Sequence, residues 1–394
     1  LALTSHMSKC GATYVPVKVK VFWADSLAIF KHNEDVLGAS SVKIIVPSLE
    51  RIIGTSELSV PEIPNIGIDE LIDMVAKHAE KDRGVQQLIE ELASKVGSEV
   101  IEERKAEIKS LFEIIKKVIE GGNSRVIEFI KNTAIIAGLL GRCDYVIGNP
   151  PWVRIHRIAH HVMQFLRDNY KYFKQGSAYN PRFKQTKTPF REQHDYSIAF
   201  VERGLEFLRD KGILSYVITS RITKNAYAGT MREDLIRKYT IMEIRDYSLY
   251  PKQLFQDAVN YPLIISVKKE QPSSNSQVKI TVTNTAGDKR SFSIPQAELP
   301  LDKLDSKSPW ILAPYEIINI YRKIADSSVR LGDLYEIYMG AKSSADNIYV
   351  VKPITCMQGG LVKVELNDGN QIIIEEHILH PFIKGENIDP FNYE

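Results

Sequence analysis

The stretch CDYVIGNPPWVRIHRI, residues 143–158, begins as a buried strand and breaks off against two prolines. Proline donates no backbone hydrogen bond, so Pro150 and Pro151 end the sheet ladder that Tyr145, Val146 and Ile147 begin. In an open α/β sheet the carboxyl ends of the strands are where ligands bind. Asn149 offers a side-chain carbonyl there, and Pro150 a backbone carbonyl held rigid by its ring. Two acceptors converging on one point hold an amino group by both its hydrogens, and Trp152 supplies a flat face for the ring that carries the amine. The stretch therefore reads as a clamp for a planar aromatic amine. The amino nitrogen of adenine is a poor nucleophile because its lone pair is delocalised. Two acceptors favour a pyramidal nitrogen with that pair exposed to a methyl donor placed in line. In a duplex the base must first leave the stack, and aromatic surfaces would hold it.

Strand and helix alternate downstream of this point. A helix is expected from Tyr196 to Asp210, and the near-continuous apolar run GILSYVITS (212–220) reads as a strand covered on both faces. AGTMREDLIRKY is a helix, IMEIRDY a short strand and NYPLIISVKK another. This predicts an α/β fold with a parallel, doubly wound sheet and a late antiparallel strand. Upstream, YVPVKVKVFWADSLAIF (14–30) reads as a strand ending near Asp25. Between Ile68 and Leu140 the apolar residues recur every three or four positions, as in Leu71, Ile72 and Val75, Leu88, Ile89, Leu92 and Val96, and Ile108 to Ile119. Each set marks one buried helix face, with glycines 84, 97, 121 and 122 as turns.

The chain has 394 residues, 44% hydrophobic and 25% charged, and a net charge of +2 that conceals an asymmetry. Residues 153–191 hold nine Lys or Arg against the single acid Asp168, interleaved with Trp152, Phe165, Tyr170, Tyr172, Phe173, Tyr179, Phe183 and Phe190. Such a segment suits a phosphate backbone with stacked bases; a solvated basic loop is the other reading. Cys10, Cys143 and Cys356 are far apart, so neither a disulfide framework nor a zinc site is indicated. His156, His160 and His161 lack a carboxylate at ligand spacing, so no metal is expected. His194 and Asp195 read as the start of a helix. No apolar run is long enough for a membrane span and no signal peptide is visible, so a cytoplasmic protein is expected.

Asn149-Pro150-Pro151-Trp152 resembles the catalytic motif of the adenine-N6 DNA methyltransferases of the TaqI-like class. The same tetrapeptide occurs in methyltransferases acting on glutamine side chains or ribosomal guanine. FWADSLAIF resembles the family's earlier motif, in which an Asp binds the adenine of S-adenosyl-L-methionine; that role falls to Asp25, with capping of a following helix as the alternative. LFQDAVNYPLIIS resembles the strand whose aromatic residue contacts the flipped base, which nominates Phe255. LGDLYEIYMGAKS and LHPFIKGENIDPFNYE resemble the opening of a target-recognition domain. The resemblance covers most of the chain apart from the helical insertion. It implies a Rossmann-like methyltransferase core, S-adenosyl-L-methionine as cofactor and double-stranded DNA as partner. Arg154, Lys171, Lys174, Lys184 and Lys187 are then the candidates for backbone phosphates.

The expected organisation is a catalytic core over 1–270 with a helical insertion at about 66–140, a hairpin and linker over 271–308, and the start of a target-recognition domain over 309–394. The family's glycine-rich first motif has no counterpart before Asp25. The chain is therefore expected to be part of a larger restriction-modification protein, lacking N-terminal and C-terminal parts, and inactive alone. Two other functions stay open at this stage: methylation of protein glutamine or RNA, and a non-catalytic DNA-specificity module.

Overall fold

The helical periodicity upstream of the NPPW stretch becomes a layer of successive helices. They are α2 (Ile68–Glu80), α3 (Val85–Val96), α4 (Ser98–Glu120) and α5 (Ser124–Ala137), preceded by the short α1 (Pro47–Ile53). Glycines follow α3 and α4: Gly97 has φ +99° and Gly122 φ +70°, conformations that a side chain would strain. The stripes Leu71/Ile72/Val75, Leu88/Ile89/Leu92 and Ile108/Leu111/Phe112/Ile115/Val118 are buried in one core. Val96 and Ile119, assigned to the same stripes, are only half-buried at its rim. A small antiparallel sheet, β1 (Ile29–Lys31), β2 (Ser41–Ile45) and β3 (Glu57–Pro61), closes this core with Ile29, Val42, Ile44, Leu58 and Val60.

The computed structural model describes residues 22, 24–27, 29–31, 41–81, 83–153, 158–174, 194–250, 261–303, 305–329, 331–336, 346–382, 388–389 and 392–393. It divides into Leu1–Tyr321 and Arg322–Glu394. No helix among the described residues is long and apolar enough to cross a membrane.

The second core of the first unit is a six-stranded mixed sheet in the order β4-β5-β7-β6-β8-β9. Its strands are β4 (Cys143–Gly148), β5 (Leu208–Thr219), β6 (Thr240–Asp246), β7 (Pro262–Lys268), β8 (Gln277–Thr283) and β9 (Lys289–Pro295). β4 and β5 are parallel, β7 runs antiparallel between β5 and β6, and β6 is parallel to β8. Thus β4, β5, β6 and β8 point one way and β7 and β9 the other, a mixed α/β fold consistent with a Rossmann-like methyltransferase core. The late antiparallel strand is β7. Helix α6 (His160–Asn169) and helix α7 (Ser197–Phe207) lie between β4 and β5 in sequence, and α8 (Gly229–Lys238) between β5 and β6.

The strand that opens the NPPW stretch, read as buried, is an edge strand of the sheet with Tyr145 and Ile147 exposed. Three further details differ from the sequence reading. The helix expected to reach Asp210 stops at Phe207, and β5 starts at once. Cys143 pairs with Leu208 but Tyr145 with Ile213, so three extra residues bulge from β5, with Lys211 at φ +63°. Second, the apolar run of β5 is fully buried on one face only: Leu214, Tyr216 and Ile218 are covered, while Ile213, Ser215 and Val217 are half-buried. Third, the hairpin expected within 271–308 forms, but as part of the main sheet and not as a separate linker. It is β8–β9, which extends the sheet, and Trp310 and Leu299 pack in the same core.

In the second unit, β10 (Lys352–Met357), β11 (Leu361–Glu365) and β12 (Gln371–Glu375) form an antiparallel sheet in which Val362 and Val364 are buried.

Candidate active site

The parallel pairing of β4 with β5 brings two strand ends together, with Gly148 opposite Tyr216. Two glycines make room for that tyrosine. A Cβ on Gly148 would come within 3.0 Å of its ring, and one on Gly204 of α7 within 2.6 Å of its hydroxyl. Burial raises the Tyr216 hydroxyl to about 12, so it stays neutral. The chain therefore leaves the sheet over a closely packed base. Asn149 is exposed, Pro150 buried, Pro151 exposed and Trp152 half-buried. The Trp152 indole donates from Nε1 to the Val217 carbonyl at 3.3 Å, which pins the ring's edge to the end of β5.

The far side of the loop is fastened too. The Tyr196 amide donates to the Val153 carbonyl at 2.9 Å, tying the residue after NPPW to the start of α7. Asp195 takes the Ser197 amide (3.0 Å) and hydroxyl (2.6 Å) on one carboxylate oxygen, an N-terminal cap. His194 is buried with its ring 4.8 Å from that of Phe173. Asp195 thus serves the helix start, while His194 packs against Phe173 and Tyr227.

Asp25 comes near Tyr196 at the start of α7. It is exposed on a turn in which its Oδ1 accepts the Leu27 amide at 2.9 Å. The turn leads into strand β1 and not into a helix, so the helix-cap alternative is not what the chain adopts. Burial, followed by the nearby Asp25 carboxylate, raises the Tyr196 hydroxyl to about 12. The same carboxylate acts on Tyr170, whose hydroxyl is driven up chiefly by burial. Asp25 is thus within electrostatic reach of the segment that holds the NPPW loop.

The basic candidates divide. Lys171 is engaged: its ammonium meets the Asp234 carboxylate at 2.7 Å, a half-buried pair that Lys238 joins. Lys174 is exposed. Arg154, Lys184, Lys187 and Phe255 lie outside the described residues. Sequence reasoning missed Tyr216 and its two glycines. The signal was there, in a glycine directly before the motif and another within a helix, where it costs stability without a packing reason.

Comparison with known proteins bears on the same segment. Residues 74–255 match the Eco57I restriction-modification methylase family. That segment is similar to restriction-modification methylases. The match begins inside α2, so helices read from sequence as an insertion lie within the matched span. The chain is 22% identical to the type II methyltransferase M.BstVI of Geobacillus stearothermophilus, covering 61% of this chain and 44% of that one. It is 24% identical to M.XhoI of Xanthomonas vasicola, covering 60% and 42%. The chain thus spans less than half the length of these curated relatives. Among solved structures, the type ISP restriction-modification enzyme LlaBIII bound to DNA aligns with a TM-score of 0.31 at 12% identity over 47% of this chain and 14% of that one. The M protein of the type I enzyme EcoKI aligns with a TM-score of 0.23 at 15% identity over 44% and 33%.

Proposed function

We propose that the chain carries the catalytic core of a cytoplasmic enzyme that methylates the amino group of adenine in DNA, within a restriction-modification or related defence system. One observation carries this reading: an exposed Asn149 at the mouth of β4, beside a Trp152 whose edge is pinned to Val217. With its edge fixed, the indole can present a face to a flipped-out adenine, while the Asn149 side chain and the Pro150 carbonyl receive the two amino hydrogens. The residues activate the nitrogen by position, and once methylated it releases one proton to solvent, so no strong general base is needed. Phe255 is proposed to contact the target base, and residues 309–394 to open the target-recognition domain.

S-adenosyl-L-methionine would supply the electrophilic methyl. The donor set fits one end of it, since Asp25 presents an exposed, oriented carboxylate to a ligand's amino or hydroxyl hydrogens. The methionine end is proposed to be held by protein beyond this chain. Residues 1–394 alone are accordingly expected to bind the cofactor weakly and to leave DNA unmethylated.

Removing a positioned polar group from a transition state costs about 3 kcal/mol. Asn149→Ala in the complete protein should therefore lower methylation of plasmid adenine on the order of a hundredfold or more, with DNA affinity retained. Near-normal turnover in that variant would end the proposal. The phosphate-binding role falls on Lys174, Arg154, Lys184 and Lys187 and less on Lys171, which Asp234 already engages. Replacing the first four by Ala should flatten the salt dependence of DNA affinity by more than Lys171→Ala does.

A further inference from the structure

The Asp25 turn is held from beneath by a buried pair that lies far along the chain. Tyr170, at the end of α6, is buried, and its hydroxyl lies 2.6 Å from the Leu27 carbonyl. The same hydroxyl oxygen lies 3.1 Å from Nε and 2.6 Å from Nη2 of Arg203, a buried residue of α7. A guanidinium donates and cannot accept, so both Arg203 contacts end on the tyrosine oxygen. The single tyrosine proton is thereby directed to Leu27. The neighbouring cation polarises the hydroxyl and strengthens that donation. On its other side the Leu27 amide orients the Asp25 carboxylate at 2.9 Å. One residue's peptide groups thus couple the buried pair to the exposed acid.

We propose that Tyr170, backed by Arg203, is a positioning residue that holds the Asp25 turn against α7 and so fixes the cofactor-binding carboxylate relative to the NPPW loop. The start of the same helix is bonded to Val153, so Asp25 and Asn149 are registered through one element. The proposal rests on the reading of Asp25 as an acceptor for S-adenosyl-L-methionine, and the test separates the two.

Tyr170→Phe keeps the ring in the core and removes the hydroxyl. In the complete protein it should raise the calorimetric Kd for S-adenosyl-L-methionine about tenfold, equivalent to about 1.4 kcal/mol. DNA affinity should stay within twofold, and hydrogen exchange at the Leu27 amide should accelerate with no cofactor present. Asp25→Asn should raise the Kd by at least as much, and the double variant should bind no more weakly than Asp25→Asn alone. Additive losses, or an unchanged Kd in Tyr170→Phe while Asp25→Asn is impaired, overturn the positioning role and leave the reading of Asp25 standing. An unchanged Kd in Asp25→Asn overturns both. If Tyr170→Phe does not fold, Arg203→Lys serves instead. It keeps the charge but loses the forked donor, and should show the same selective loss at about threefold.

Discussion

The first unit contains two cores built by different means. The helical layer is closed mainly by aliphatic stripes, with ion pairs such as Lys131 with Asp73 and Lys95 with Glu70 on the outside; its buried His78 and Arg104 bond within their own helix or to the next one. In the six-stranded core, two buried polar side chains bond to backbone distant in sequence that would otherwise be orphaned. Arg232 is fully buried and donates to the carbonyls of Ile222, Asn225, Lys307 and Ser308. Gln296 accepts the Ile241 amide and donates to the carbonyls of Leu235, Ile236 and Tyr239, joining the end of α8 to the start of β6. A stripe of aliphatics fixes how surfaces meet. A buried polar staple fixes where a loop goes, which is what a site at the strand ends requires.

The largest expected effect tests that contrast directly. Arg232→Met leaves four carbonyls without their donor in a closed core, and each unsatisfied buried group costs about 1 to 3 kcal/mol. The loss should be about 4 kcal/mol or more by urea unfolding. Leu111→Ala, at the centre of the α4 stripe, should cost about 3 kcal/mol through transfer and cavity terms. If Arg232→Met proved milder than Leu111→Ala, the polar staples would be incidental and the two cores would be alike.

The same contrast explains what could be read from the sequence. The helical stripes were legible because burial of a helix face imposes a period that Leu71, Leu88 and Ile108 repeat. The NPPW loop was legible because two prolines after a strand leave few conformations and a polar amide there has no packing reason. Arg232 was not, because in MREDLIRK it looks like any charged residue of a surface helix, and nothing local says that the segment around Ser308 returns to cover it. Glu202, Gln296 and Tyr170 were hidden in the same way: their partners are 30, 55 and 143 positions away. Asp25 was half legible, since sequence alone could not separate a ligand acceptor from a helix cap.

A smaller effect, in pH and not in packing, sharpens the comparison. Glu202 of α7 accepts the Lys171 amide at 2.9 Å and the Tyr172 amide at 2.8 Å, holding the turn that follows α6. Burial raises its carboxyl above the ordinary 4.5, and the two amides only partly pull it back. Its folded value thus exceeds its unfolded one, so between the two the folded chain binds more protons and stability falls as pH rises. The stabilising contribution of this group is complete below about 4.5 and is lost as pH rises through the folded value. Glu202→Gln cannot titrate, so subtracting its stability from that of the wild type at each pH removes most other groups from the comparison. That difference should move in favour of the wild type as pH falls through the folded value toward about 4.5, by less than either core substitution costs. A flat difference, or one that moves the other way, would mean that the two amide bonds outweigh burial. Glu202 would then be an ordinary cap, and the sheet core would be no more pH-sensitive at this point than the helical layer.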